Sequence, residues 1–128
     1  MRKLILTITL MVLALLIGCR EAFSVHALQK PNDGVVLNFS PDSGRNDTGV
    51  EINILDVGRI ISPDNRVELV WVIQTKSGKP QKMTAIEYGV IPPGFEEVRP
   101  AQKLVSGETY DVLASKPGSV GGTRFKKE

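Results

Sequence analysis

Hydrophobic and polar residues follow two different patterns along the chain. Residues 4–17 are almost uniformly apolar, whereas the residues after position 33 alternate over short stretches that are separated by turn-forming residues. The clearest alternation runs from Arg66 to Thr75, and regular alternation rich in branched residues predicts a half-buried β-strand. On this prediction, one face of the strand carries Val67, Leu69, Trp71 and Ile73.

The remaining alternating or apolar stretches are short, and glycine, proline, asparagine or aspartate separates them. The predicted strands are 35–39, 50–57 with a continuation over 58–61 after a bulge at Gly58, 66–75, 81–90, 95–98, 109–115 and 123–127. No window favours an amphipathic helix. We therefore expect an all-β fold, a small antiparallel sandwich of about seven strands, because short strands at regular spacing are typical of that class.

The apolar N-terminal segment has the features of a secretory signal peptide. Arg2 and Lys3 precede an apolar run of about fifteen residues, which is shorter than the roughly twenty that a membrane-spanning helix needs. The run ends in Leu16-Ile17-Gly18-Cys19, which resembles the lipobox of bacterial lipoproteins. We expect residues 1–18 to be the signal peptide, 19–33 the lipidated cysteine and a short tether, and 34–128 the β-sandwich domain. A candidate first strand lies near 24–29, within the tether.

The lipobox resemblance implies a membrane anchor. In that family the chain is cleaved between the residues equivalent to Gly18 and Cys19, the cysteine thiol carries a diacylglycerol, and the new amino group is acylated. Two or three acyl chains hold a protein stably at a bilayer, whereas one chain holds it only marginally. Apart from these covalent lipids we expect no cofactor. Arg20 in place of aspartate favours the outer membrane if the host is Gram-negative.

Charge and cysteine content limit the partners and the chemistry. Removal of Arg2 and Lys3 with the signal peptide leaves fourteen basic residues against fourteen acidic ones. A domain without excess positive charge lacks the electrostatic footprint of a nucleic-acid-binding protein. Lipidation of Cys19, the single cysteine, leaves no thiol for a disulfide or a metal site.

A second resemblance refines the fold. The stretch Leu104-Val-Ser-Gly107-Glu-Thr-Tyr110-Asp-Val112 resembles the L-x-x-G-x-x-Y-x-V stretch of fibronectin type III and related immunoglobulin-like domains. The resemblance implies that the Tyr110 hydroxyl bonds to backbone a few residues upstream, as in a tyrosine corner. It also implies that Trp71 is the core tryptophan and that residues 114–122 form a loop.

Candidate catalytic and metal-binding groups are sparse. The single histidine, His26, lies in the predicted tether, and Glu96 and Glu97 are adjacent on a predicted strand, so their carboxylates would point to opposite faces. The loop 42–49 is rich in aspartate and asparagine but departs from the calcium-binding EF-hand pattern, which favours an Asx-rich turn. We expect a protein that is not an enzyme and that has no metal site.

The candidate contact surface for a partner is the rigid stretch Ile91, Pro92, Pro93 and Phe95, and the alternative is that Phe95 packs into the core. We expect a non-enzymatic binding or structural module of the periplasm or cell surface, with the membrane and an envelope protein as partners. One alternative is a periplasmic lysozyme inhibitor, because Ser106-Gly107-x-x-Tyr110 is similar to the S-G-x-x-Y stretch of that family. Another alternative is a small-ligand-binding β-domain.

The substitution Cys19→Ala tests the anchor. Without the thiol no thioether to diacylglycerol can form, so we expect the N-terminal peptide to lose its acyl mass. We also expect the processed, acylated species to be absent from the membrane fraction. Mass spectrometry of the N-terminal peptide, together with membrane fractionation, measures both effects, and acylation that persists in the variant would contradict the prediction.

Overall fold

A computed structural model of the chain describes residues 23–32, 34–41 and 49–128. In this part of the chain ten β-strands form and no helix does, so the predicted all-β class is confirmed. The strands are β1 (Phe23–Gln29), β2 (Val35–Pro41), β3 (Val50–Ile52), β4 (Ile54–Ile61), β5 (Arg66–Thr75), β6 (Gln81–Met83), β7 (Ala85–Glu87), β8 (Phe95–Arg99), β9 (Thr109–Lys116) and β10 (Ser119–Lys126).

The strands form three antiparallel sheets. The largest has the order β10-β9-β4-β5-β8, a second has the order β1-β2-β7, and β3 pairs with β6 in a short ribbon. The two larger sheets contribute their apolar faces to one shared core, an arrangement consistent with a β-sandwich. No helix in the described ranges is long and apolar enough to cross a membrane.

The core contains side chains from all three sheets. The largest side chains that are completely buried belong to Trp71 and Tyr110 in the five-stranded sheet, Phe23 and Leu37 in the three-stranded sheet, and Ile52 in the ribbon. Because each sheet buries one face, removal of any sheet would expose the apolar residues of the other two.

One strand breaks the predicted alternation. Across β4 and β5, Val57 pairs with Trp71 but Gly58 pairs with Leu69, so Val70 is an extra residue in β5. The extra residue of a β-bulge shifts the alternation of side chains by one position. Odd-numbered residues before the bulge therefore lie on the opposite face of the sheet from odd-numbered residues after it. Trp71 and Ile73 are buried as predicted, but the prediction that Val67 and Leu69 share their face is wrong, since these two side chains are 51% and 38% exposed.

The domain begins earlier than the sequence suggested. β1 starts at Phe23 and pairs with β2 along its whole length, with Phe23 and Val25 buried in the core. The first strand that the sequence predicts near 24–29, within the predicted tether, is therefore confirmed, and it is a strand of the fold. Phe23 also lies directly over Gly121 at the start of β10, where a Cβ atom would come within 2.6 Å of the Phe23 backbone oxygen.

Three further stretches differ from the prediction. The predicted strand 50–57 is divided at Asn53, because β3 pairs with β6 whereas β4 pairs with β5 and β9. The predicted strand 81–90 is divided at Thr84, because β6 pairs with β3 and β7 pairs with β2, so the chain changes sheet there. The implied loop over 114–122 is instead a tight hairpin in which Pro117 and Gly118 connect β9 to β10, and Gly118 has a φ of 80°. Proline followed by a glycine with positive φ suits such a turn.

The stretch before β8 is an ordered turn that places Phe95 in the core. The Phe95 N–H donates to the Pro92 carbonyl at 3.1 Å, and the Gln81 side chain donates to the Pro93 carbonyl at 2.9 Å. The Phe95 side chain is 3% exposed, whereas Ile91 is 42% exposed. Of the two alternatives for Phe95, the structure places it in the core, and Ile91, Pro92 and Pro93 form the outer side of the turn.

Phe95→Ala and Ile91→Ala form a matched pair that tests this placement. Truncation of a buried phenylalanine typically lowers the free energy of unfolding by about 3–5 kcal/mol, whereas truncation at an exposed site changes it by roughly 0.5 kcal/mol. We expect this difference between the two variants in chemical denaturation. Equal, small effects would mean that Phe95 does not pack in the core.

Candidate functional site

The stretch that resembles a tyrosine corner is engaged in the fold. Tyr110 is 1% exposed, and its hydroxyl accepts a hydrogen bond from the backbone N–H of Val105 at 2.8 Å. Its ring stacks on that of Phe125, with centroids 5.6 Å apart. Ser106 donates its hydroxyl proton to the Glu128 carbonyl at 3.0 Å. Insertion of Ser106 and Tyr110 into the cleft of an enzyme would require these contacts to break.

Trp71 links the core to the edge of the large sheet. Its indole N–H donates to a carboxylate oxygen of Glu97 at 3.0 Å, and its ring meets Tyr88 edge-on with centroids 5.1 Å apart. Burial raises the pKa of Tyr88 to about 12, and its hydroxyl donates to the Gln102 carbonyl. Glu96, the neighbour of Glu97, instead accepts from the side chain of Gln74, so the two carboxylates have separate partners.

Several predicted sites lie outside the described residues or apart from one another. Gly18 and Cys19 of the predicted lipobox and residues 42–48 of the loop rich in aspartate and asparagine lie outside the described ranges. His26 is exposed on β1. Within the described part of the chain, no three residues among histidine, cysteine, aspartate and glutamate come close enough together to hold a metal ion.

A cleft of about 520 Å³ opens beside the tyrosine corner. It is lined by backbone and side chains of Gly34, Val35, Tyr88, Lys103–Ser106 and Lys127. The volume lies within the range of small-molecule sites. The cleft thus gives the small-ligand alternative a definite location.

A second depression lies on the outer face of the five-stranded sheet. We call it the outer groove; it has a volume of about 370 Å³, and its apolar walls are the side chains of Val67, Leu69 and Leu113. Leu113 is 47% exposed, and Val67 and Leu69 are also exposed. Apolar side chains that cluster on a solvent-facing sheet surface are the usual mark of a binding site.

Glycines at two positions keep the outer groove open. Gly58 pairs with Leu69 on one side and with Asp111 on the other, and a Cβ at Gly58 would lie 2.2 Å from a methyl carbon of Val67. Gly122 pairs with Leu113 on the opposite side. Without side chains at these two positions, the floor of the groove is backbone.

A carboxylate lies in the middle of the outer groove. Asp56 lies between Val72 and Leu113 in the ladder, and burial raises the pKa of its carboxyl group. Its side chain has no ion pair or hydrogen bond with any residue in the described ranges, whereas the nearby Asp111 makes a two-pronged contact with Arg124 at 2.7 and 3.2 Å. An uncompensated, partly buried charge lowers the stability of the fold.

Sequence reasoning missed the outer groove because the bulge was assigned to the wrong strand. The pairing of β4 with β5 is irregular at Gly58, as predicted, but the extra residue is Val70 in the partner strand β5. The signal in the sequence was Gly58 itself, since glycine within a strand often marks a bulge or a close approach of another chain segment.

The substitution Asp56→Asn tests whether the partly buried charge of Asp56 lowers the stability of the fold. A folded-state pKa above the ordinary value of 3.8 means that the folded protein binds this proton more tightly than the unfolded chain does. The contribution of Asp56 to stability is then fully present below pH 3.8 and is lost as the pH rises through the folded pKa. We expect Asp56→Asn to be more stable than the wild type at neutral pH, with a difference that shrinks in acid, as measured by urea unfolding.

Asp64→Asn serves as the control, because it removes the same charge from an exposed turn outside the groove. It separates local desolvation from a change in net charge. An Asp56→Asn variant that is less stable than the wild type at neutral pH would contradict the prediction.

Comparison of the chain with protein-family models, with curated proteins and with solved structures finds no match. The functional argument therefore depends on the residues and geometry described above.

Proposed function

We propose that the protein is a lipid-anchored envelope lipoprotein. Its immunoglobulin-like β-domain, similar to fibronectin type III, binds another envelope protein without catalysing a reaction. The anchor is Cys19, and the binding surface is the outer groove. The single observation that carries the binding function is the exposed apolar groove around Asp56.

The lipobox stretch supports the anchor. A basic start, a short apolar run and the sequence Leu16-Ile17-Gly18-Cys19 are the pattern that lipoproteins carry. β1 begins four residues after Cys19, so the folded domain follows the anchor almost immediately. A domain held this way remains available to other proteins of the same compartment.

Two observations support the immunoglobulin-like assignment. All strand pairs are antiparallel, with the core between the larger sheets. Tyr110 is buried, and its hydroxyl bonds to the backbone of Val105 five residues upstream, which is the contact that defines a tyrosine corner. Domains of this class serve many purposes, so the fold alone does not identify the partner.

The chemistry of the outer groove specifies the kind of partner. Val67, Leu69 and Leu113 offer apolar contact area, and Asp56 offers an uncompensated carboxylate among them. A segment that inserts apolar side chains and brings a lysine or arginine to Asp56 would satisfy both features. Interface charges that match in this way contribute to specificity and to the rate of association.

Site-specific photo-cross-linking in the native host tests the groove. A photoreactive residue at Leu113 reports on the outer groove, and the same residue at Val98 is the matched control, because Val98 is exposed on β8 outside the groove. We expect one dominant cross-linked protein from Leu113 and none from Val98. The cross-linked peptide of that protein should contain apolar residues and a lysine or arginine.

Charge reversal at the groove completes the test. With the purified partner, Asp56→Lys should weaken binding at least about tenfold, because loss of a partly buried charge pair typically costs 2 kcal/mol or more. The variant Asp64→Lys carries the same change in net charge at an exposed turn and should bind normally. Equal cross-linking from Leu113 and Val98, or unchanged binding by Asp56→Lys, would overturn the proposed binding surface.

A further inference from the structure

The chain enters the fold at one end of the domain, which we call the anchor end. β1 and β10 begin at this end, and β2, β5 and β9 finish there. Five residues that line one shallow depression mark it: Phe23, Pro41, Glu51, Lys116 and Ser119. The opposite end contains the turn Ser62–Asn65, the tyrosine corner and the cleft of about 520 Å³.

Covalent geometry fixes the distance between a lipid on Cys19 and the anchor end. Three residues lie between Cys19 and Phe23, so four steps of at most about 3.3–3.6 Å each span about 14 Å in a fully extended chain. A strand of the length of β5 spans roughly 33 Å. The anchor end therefore lies beside the bilayer, while the opposite end can lie well away from it.

The anchor end carries three lysines that make no ion pair with the described residues. Lys76 and Lys79 lie in the exposed turn after β5, and Lys82 is exposed on β6. In the described ranges none of these three makes an ion pair. Glu51 pairs with Lys82 in the ladder and lies 3.8 Å from Lys116, so this carboxylate sits between two cations.

A polar cleft of about 280 Å³ lies next to these lysines. Its lining includes Asn53, Thr75, Lys76, Ser77 and the carboxylate residue Glu96. The side-chain oxygens of Asn53 and Thr75 are buried there without a hydrogen-bond partner in the protein. Apart from Lys76 the lining is uncharged or acidic, so the exposed lysines, rather than the cleft, supply the positive charge of the anchor end.

We propose that the anchor end binds the headgroups of anionic phospholipids, with the exposed Lys76, Lys79 and Lys82 contacting their phosphates. This inference rests on the lipid anchor of the proposed function. Lysines next to an anionic bilayer each strengthen binding by a factor of about five. The domain then stands on the membrane in one orientation, with the tyrosine-corner end facing away.

Fluorescence quenching in proteoliposomes tests the orientation. The full, acylated protein is reconstituted in phosphatidylcholine vesicles with or without phosphatidylglycerol, and a nitroxide quencher is attached to lipid headgroups. Because acylation occupies the single native cysteine, an introduced cysteine is the only reactive thiol for the fluorophore. Ser77→Cys places the label at the anchor end, and Lys103→Cys places it at the opposite end.

We expect strong quenching of the Ser77→Cys label, an increase of that quenching with phosphatidylglycerol, and little quenching of the Lys103→Cys label. In the Ser77→Cys protein, replacement of Lys76, Lys79 and Lys82 by glutamine should abolish the increase. The matched replacement of Arg99, Lys103 and Lys126 by glutamine, on exposed sites toward the opposite end, should leave it unchanged.

Two different results would refute the lipid anchor and the binding of headgroups separately. If the N-terminal peptide carries no acyl chains by mass spectrometry and the protein does not float with vesicles, the anchor itself is refuted. If the protein is acylated and floats, but both labels are quenched equally or phosphatidylglycerol has no effect, headgroup binding by the anchor end is refuted and the anchor stands.

Discussion

The extra residue in β5 controls both the interior and the exterior of this domain. With Val70 inserted opposite the junction of Val57 and Gly58, Trp71 and Ile73 point into the core while Val67 and Leu69 point to solvent. Without the bulge, strict alternation would bury Val67 and Leu69 together with Trp71. Gly58 makes this geometry possible, because a side chain there would collide with Val67. The core and the outer groove are thus two consequences of one irregularity.

The outer groove has features that stability alone does not explain. Exposed leucine and valine side chains gain nothing from burial in the free protein, and Asp56 lacks a compensating partner within the described ranges. Groups that lower the stability of a fold while remaining accessible are typical of sites that complete their contacts with a partner. Neighbouring Asp111, which Arg124 neutralises, shows that the same sheet face can pair a carboxylate when the fold itself provides a cation.

The two ends of the domain have different chemistry. At the anchor end, the start of β1, three lysines without ion pairs and a polar cleft lie together. At the opposite end, the hydroxyls of Tyr110 and Tyr88 are bonded to backbone and hold the segment between β8 and β9 against the sheet. The outer groove lies on the sheet between these ends. A domain that stands on its anchor end would therefore present the groove sideways to proteins along the membrane surface.

The sequence by itself determined the all-β class, the antiparallel order, most strand positions and the irregularity at Gly58. Local alternation and turn residues carry that information directly. It also contains the stretch Leu16-Ile17-Gly18-Cys19, and the proposed anchor rests on the resemblance of this stretch to a lipobox. Only the tertiary structure decided that Phe95 is buried, that the strand predicted near 24–29 packs in the core, and that Val67 and Leu69 face outward. The reason is that burial depends on which strand packs opposite and on which partner carries the extra residue of a bulge, and neither is fixed by local alternation.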